Sequence, residues 1–311
     1  MATKITFVTG KGGVGKSTVA AALAVASAKE SASLKSDQKT LLAEIGDHSF
    51  YQTLFHRELQ KQMGYEPQNL APGLDVCLWK GEDCLKEYAR HLLKLESLYQ
   101  IFFENQVMRT FINIAPGLSE LSIMGKVTSG PRKHGPQMPY GKIFMDSYAT
   151  GHFLALLRAP AALAKTVQFG PMGEQSRNID KILKNPEICD YVIVAIPEEL
   201  PVQEAIDLYD ALKQELGFAP KLILNRCLLQ ENEINDLQSF DQSSDEWKPY
   251  FQFLQGHWQR QQSAIETLQN HLKKSGAKKS DLIRLPFLLS EQSMSMIQTL
   301  ANDLSSELKR L

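Results

Sequence analysis

The chain has few cysteines, little charge imbalance and no long apolar run. Its four cysteines, Cys77, Cys84, Cys189 and Cys227, contain no C-x-x-C pair, so a structural zinc site is not expected. Cys77, Cys189 and Cys227 sit in or beside apolar, strand-like segments, where a buried thiol is the expected state. The 34 Lys and Arg residues nearly balance 35 Asp and Glu, for a formal net charge of −1. That balance gives no strong signal for nucleic acid. The best candidate for a membrane span, residues 153–164, is interrupted by Arg158 and Pro160 and falls short of a bilayer's thickness. The first strand candidate starts at residue 4, which leaves no room for a secretory signal.

What the chain does have is Thr9-Gly10-Lys11-Gly12-Gly13-Val14-Gly15-Lys16-Ser17-Thr18. The run fits G-x-x-x-x-G-K-[ST], the loop that cradles nucleotide phosphates. An apolar strand precedes it and an Ala-rich helix follows, the order this chemistry requires. Glycine at Gly10, Gly12, Gly13 and Gly15 lets backbone N–H groups approach phosphate oxygens without a Cβ in the way. Those N–H groups, with Val14 and Thr18 in the same run, form an anion nest at a helix N-terminus. Lys16 is placed to reach the β- and γ-phosphates, and Ser17 to put its hydroxyl on Mg²⁺. The expected ligands are therefore ATP or ADP with Mg²⁺. Free thiols together with a phosphate loop point to a reducing cytoplasm.

Seven strand candidates span about residues 4–8, 40–44, 74–79, 142–146, 190–196, 220–225 and 281–285. Near-continuous apolar runs such as Tyr191 to Ile196 suit a parallel sheet covered on both faces. With helical segments between them, the pattern reads as doubly wound α/β with helical insertions. The clearest helix runs from Pro201 to Leu216 and stops at Gly217. The 311 residues read as one domain, with a helical insertion at about 82–140 and a variable helical excursion at about 229–276. Within the insertion, Leu85, Tyr88, Leu92, Leu95, Tyr99 and Phe102 form a stripe at helical spacing. It packs against the sheet or offers a second face to a partner. The Gly- and Pro-rich stretch 128–142 reads as a loop, with a lid as one possible role. In the excursion, Trp247 and Trp258 are expected in the core. A closing helix, about 291–311, places Ile297, Leu300, Ala301, Leu304, Leu308 and Leu311 on one side, for packing on the sheet.

A second nucleotide segment begins at Gly141-Lys142-Ile143-Phe144-Met145-Asp146, a strand ending in an acid. In nucleotide hydrolases such an acid holds Mg²⁺, directly or through water. It continues Ser147-Tyr148-Ala149-Thr150-Gly151-His152 before a Leu-rich helix.

Two features carry a resemblance. The run Lys11 to Thr18 resembles the deviant Walker A loop of the ATPases that include the arsenite-pump (ArsA), tail-anchored-protein targeting, MinD and ParA proteins. The segment from Asp146 resembles the switch II signature Asp-Thr-Ala-Pro-Thr-Gly-His-Thr of the ArsA side, with Thr150, Gly151 and His152 kept. The likeness covers most of the chain, least of all residues 229–280, and implies a dimeric P-loop ATPase of the bacterial single-domain branch. It implies that Lys11 points across a homodimer interface to the partner's nucleotide, where it neutralises charge on the transferred phosphoryl group. It implies adenine contacts from Asn225, whose amide both donates and accepts, and from Pro286 and Phe287. A protein or membrane-protein partner is also implied. Relatives carry an Asp-Pro after the second strand whose Asp positions the attacking water; ungapped, that Asp falls on Gly46 here. Asp47 is the first substitute, Glu44 the second, and slow or absent hydrolysis the third. Neither converging thiolates for arsenite nor the zinc-clasp C-x-x-C of tail-anchored targeting dimers is present in the sequence.

Overall fold

The computed structural model describes residues 3–34, 36–93, 117–136, 138–228, 248–277, 282–289 and 293–305. In chain order its elements begin β1 (Lys4–Gly10), α1 (Lys16–Ser33), β2 (Thr40–Ile45), α2 (Phe50–Leu54), β3 (Gln68–Ala71) and β4 (Leu74–Trp79). There follow α3 (Gly81–Leu93), α4 (Leu118–Val127), α5 (Ser129–Arg132), β5 (Lys142–Ala149), α6 (Thr150–Thr166) and α7 (Gly170–Leu183). The chain continues through β6 (Cys189–Ala195), α8 (Glu199–Leu216), β7 (Lys221–Cys227), α9 (Lys248–Lys274), β8 (Leu282–Pro286) and α10 (Ser293–Ser305).

The strands form one sheet in the order β3-β4-β2-β5-β1-β6-β7-β8. Neighbours pair in parallel except β3 with β4. The doubly wound α/β expectation is met. Strand side chains alternate between two cores, one on each face. Ile5 and Phe7, Leu41 and Ala43, Ile143 and Met145, and Tyr191 and Ile193 enter one core. Val8, Leu42, Phe144 and Val192 enter the other. Both faces are dry, which is why these strands read as continuous apolar runs.

The second face is closed by α1 and α10. Helix α1 buries an unbroken run from Val19 to Ala28, six of whose ten residues are alanine. Small side chains let the helix lie close to the strands, which brings its N-terminus to the end of β1. Ile297, Leu300, Ala301 and Leu304 of α10 cover its other side, as the closing-helix stripe predicts; residues 306–311, with Leu308 and Leu311, lie outside the described residues.

Helix α8 begins two residues earlier than the sequence suggests and ends at Gly217, whose φ of 81° is the left-handed stop favoured by glycine. Strand β3 is the one element that the apolar-run criterion misses. Gln68-Asn69-Leu70-Ala71 is too polar to register, and only the turn through Gly73 (φ 75°) returns it antiparallel along β4.

Two expectations need correction. The stretch 128–142 is no lid: Thr128 leads into the short α5, and Arg132 is fastened by hydrogen bonds to Thr128 Oγ1, Gln175 Oε1 and the Gly125 carbonyl. Its end feeds the N-terminal end of β5, where Gly141 bonds Lys39 and Lys4, at the opposite edge of the sheet from the glycine loop. Trp258, expected in the core, is only half-buried on α9, whose core contacts come from Ala264, Ile265, Leu268 and Leu272. Phe240 and Trp247 lie outside the described residues, as do Leu95, Tyr99 and Phe102 of the helical stripe. Leu85 is buried and Tyr88 half-buried, the start of a packing face. Among the described residues no helix is long and apolar enough to cross a membrane.

Gly10 pairs with β6 so closely that an added Cβ would stand 2.1 Å from the Val194 carbonyl oxygen, at a φ of 141°. Gly10→Ala is expected to cost at least about 3 kcal/mol, read from urea unfolding. Gly12→Ala, with nothing within 4 Å of its Cβ, is expected to stay within about 1 kcal/mol of the parent.

Candidate functional site

Parallel strands put their C-terminal ends on one edge of the sheet, and loops at that edge bind ligands where the connections diverge. Here β1 lies between β5 and β6, so the glycine loop emerges at the centre of that edge. Gly15, at φ 91°, caps α1. A Cβ on Gly15 would meet Asn225 Nδ2 at 2.4 Å, because Asn225 donates from Nδ2 to the Val14 carbonyl at 2.9 Å. The end of β7 thus braces the loop from behind.

Lys16 folds back over the loop and donates to the Lys11 carbonyl at 2.9 Å. Burial lowers its pKa, while Asp146 opposes the shift. Asp146 is 5 % exposed and lies beside the Ser17 hydroxyl, which favours its anion. Burial pushes its carboxyl up to about 6, against the Ser17 hydroxyl, the Lys16 charge and the Tyr51 hydroxyl, which all favour the anion. Thr9 Oγ1 donates to the Tyr148 carbonyl at 2.9 Å, tying the loop's base to the segment after Asp146. Thr150, Gly151 and His152 open α6 there, with the His152 ring 5.4 Å from that of Tyr148.

The two acids considered for water activation occupy different settings. Glu44 is buried and lies level with Asp146 on the neighbouring strand. One of its oxygens accepts from the Phe50 N–H at 2.6 Å and the other from the Ser49 hydroxyl. Glu44 therefore holds the start of α2, where Ser49 also accepts from the Gln52 N–H. Burial raises its pKa; the Ser49 and Phe50 bonds oppose the rise and Asp146 adds to it. Asp47 is exposed in the bend between β2 and α2 and makes no hydrogen bond or ion pair among the described residues.

Lys11 forms a partly exposed ion pair with Glu204 on α8 of the same chain. Pro286 and Phe287 are exposed at the end of β8, beside Cys227, whose carbonyl accepts from the Phe287 N–H at 2.9 Å. The structure therefore gathers residues 10–18, Asp146, Glu44, Asp47 and Asn225 at one edge of the sheet.

Two residues of this region escape sequence reading. Tyr51, wholly buried, donates to the Ser17 carbonyl at 3.0 Å. Glu204 looks like any solvated helix position. Cys77, Cys84 and Cys189 are buried and Cys227 half-buried, all free. Burial pushes Cys84 up to about 12 and Cys227 up to about 11, so they are neutral thiols. Among the described residues no three His, Cys, Asp or Glu side chains converge as a metal site.

The raised pKa of Asp146 sets a pH dependence. Between its ordinary value of 3.8 and about 6 the folded chain holds a proton that the unfolded chain has released. On this group's account stability rises as pH falls through that window. Asp146→Asn is expected to stabilise the nucleotide-free chain by about 1–3 kcal/mol at pH 7.5, with the gain shrinking at pH 5 and vanishing near pH 4. Urea unfolding of both proteins at the three pH values checks this; a pH-independent difference would contradict it.

Comparison with known proteins agrees with this geometry. The family model described as anion-transporting ATPase matches residues 3–172. The chain is 28 % identical over 251 residues to ATPase BagA of Mycobacterium tuberculosis, covering 75 % of this chain and 68 % of that protein. It is 26 % identical over 266 residues to ATPase GET3 of Rhodotorula glutinis, covering 73 % and 71 %. It is 26 % identical over 250 residues to a putative arsenical pump-driving ATPase of Halobacterium salinarum, covering 74 % of this chain but 36 % of that longer protein. With a P-loop at the centre of a parallel sheet and the family match over more than half its length, the chain belongs to the anion-transporting (ArsA) family of P-loop ATPases.

Proposed function

We propose that the chain is a homodimeric switch that binds ATP with Mg²⁺, hydrolyses it, and couples nucleotide state to binding of a protein or membrane-protein partner. The observation that supports this reading is the meeting of Lys16, Ser17 and Asp146 at the mouth of a glycine loop. The backbone N–H groups of residues 10–18 hold the phosphates, as glycine loops at helix N-termini do. Lys16 exchanges the Lys11 carbonyl for phosphate oxygens. Asn225, Pro286 and Phe287 flank the base.

The donor set fits Mg²⁺: a hydroxyl and a buried carboxyl are hard oxygen ligands, and this ion needs few protein ligands beside phosphate and water. A second buried carboxylate, Glu44, alongside Asp146 adds negative charge that a divalent ion offsets. Ser17 and Asp146 would hold the ion, which supplies charge neutralisation for phosphoryl transfer.

Asp47 is the residue we assign to orienting the attacking water. It is free of partners among the described residues, whereas both Glu44 oxygens serve α2. For Lys11 to reach a partner's nucleotide it must leave Glu204. Both side chains are more than a third exposed, so that pair is worth at most about 1 kcal/mol and screening reduces it further. The insertion at about 82–140, whose described part carries α3 and α4, is the surface we assign to the partner, within a single domain spanning 1–311. The buried, neutral thiols give no support to an arsenical substrate.

Lys16→Ala is expected to lower nucleotide affinity at least 100-fold, measured by calorimetry. Lys11→Ala is expected to keep affinity within about threefold while phosphate release falls at least tenfold. Asp47→Asn should behave like Lys11→Ala. Wild-type turnover in Lys11→Ala would remove the trans-lysine role, and wild-type turnover in Asp47→Asn would remove its assignment.

A further inference from the structure

We propose that Tyr51 is a positioning residue for the metal end of the site. Its hydroxyl anchors the Ser17 backbone beside Asp146 and makes the placing of Ser17 against that carboxyl depend on the segment that follows β2. The proposal rests on the reading that Ser17 and Asp146 hold Mg²⁺.

Tyr51 is 0 % exposed. Its ring stacks on Phe55, centroids 5.6 Å apart at 20°, and meets Phe50 edge-on at 5.9 Å. Packing therefore holds the side chain in place, and phenylalanine would fill the same space. A buried hydroxyl is costly unless it is hydrogen-bonded. This one donates to the Ser17 carbonyl at 3.0 Å, and it lies near enough to the Asp146 carboxyl to favour its anion. The Ser17 hydroxyl acts on the same carboxyl, again favouring the anion. Three elements, α1, α2 and β5, meet at that point.

Mg²⁺ demands near-ideal octahedral geometry and oxygen distances close to 2.1 Å, so a group that sets the spacing of two ligands sets its affinity. The same tyrosine reports on the bend at residues 46–49. Helix α2 is tied at its start to Glu44 through Ser49 and Phe50, and one residue later to Ser17 through Tyr51. Any movement of the bend when the nucleotide changes is passed through α2 to the metal ligands.

The test uses the full chain with Tyr51→Phe. Three quantities are measured: thermal unfolding without nucleotide, affinity for a fluorescent ATP analogue in EDTA, and Mn²⁺ affinity in the ADP complex by electron paramagnetic resonance. The expected result is analogue affinity within twofold of wild type and Mn²⁺ affinity about five- to tenfold weaker, the loss of about one hydrogen bond. A purely structural tyrosine would lower the unfolding temperature and leave Mn²⁺ affinity unmoved. Mn²⁺ binding within twofold of wild type in Tyr51→Phe, while Asp146→Asn weakens it at least tenfold, overturns the proposal and spares the metal site. Wild-type Mn²⁺ affinity in Asp146→Asn overturns the metal site and the proposal with it. Ser49→Ala, which loosens the start of α2 without touching a metal ligand, keeps the idea testable if Tyr51→Phe does not fold. It is expected to weaken Mn²⁺ about two- to threefold, and an unchanged value counts against the coupling.

Discussion

A phosphate cradle built from backbone N–H groups has no room for side chains, and the sheet edge of this protein is organised around that exclusion. Gly10 lies against the Val194 carbonyl and Gly15 against the Asn225 amide. A Cβ at either place would push the loop off β6 or β7. The cradle is thus shaped from behind by neighbouring strands as well as by its own glycines. That explains why Asn225, more than two hundred residues away in sequence, spends an amide hydrogen on Val14. The alanine-rich α1 extends the same logic, since small side chains bring the helix N-terminus, with its partial positive charge, down to the loop.

Behind the cradle the electrostatics run the other way. Asp146 and Glu44 are both buried and lie side by side on adjacent strands. Each is raised above its ordinary pKa, first by burial. Lys16 is the neighbouring cation, and burial weakens its hold on a proton. Without ligand, the edge is therefore an arrangement of incompletely compensated charge, softened by the hydroxyls of Ser17, Tyr51 and Ser49. Active sites commonly concentrate such tension. The triphosphate and divalent ion proposed for this site would bring both signs of charge and relieve it.

The parts of this design that were legible from sequence are those with local signatures. Apolar runs placed seven strands, and the spacing of Gly10, Gly15, Lys16 and Ser17 placed the loop. Asp146 was legible because an apolar run gives way to an acid shortly before Thr150-Gly151-His152, although β5 itself runs on to Ala149. What escaped was tertiary. Strand β3 has no apolar run and exists because β4 offers it an edge. Arg132 turns a Gly- and Pro-rich stretch into a fastened corner through partners as distant as Gln175. Tyr51 reads as one aromatic in a Phe50-Tyr51 pair until α2 is folded against α1. The hydrogen bonds that tie Glu44 to Ser49 and Phe50 have no local signature either.

Lys11 shows how a single chain and the proposed dimer would place different demands on one residue. A lysine held for a partner's phosphate would, if left unpaired, sit beside its own loop and invite anions without completing any site. Glu204 gives it a counter-charge on the same chain, on a helix that packs against β6 and so moves with the strand backing Gly10. The pair is exposed enough to be weak, which suits a contact that must be exchanged. A stronger, buried pair would hold Lys11 at home and resist the partner, whereas no pair would leave its position undefined. In the proposed dimer, a weak intramolecular contact would let a nucleotide-loaded second chain decide where the lysine goes.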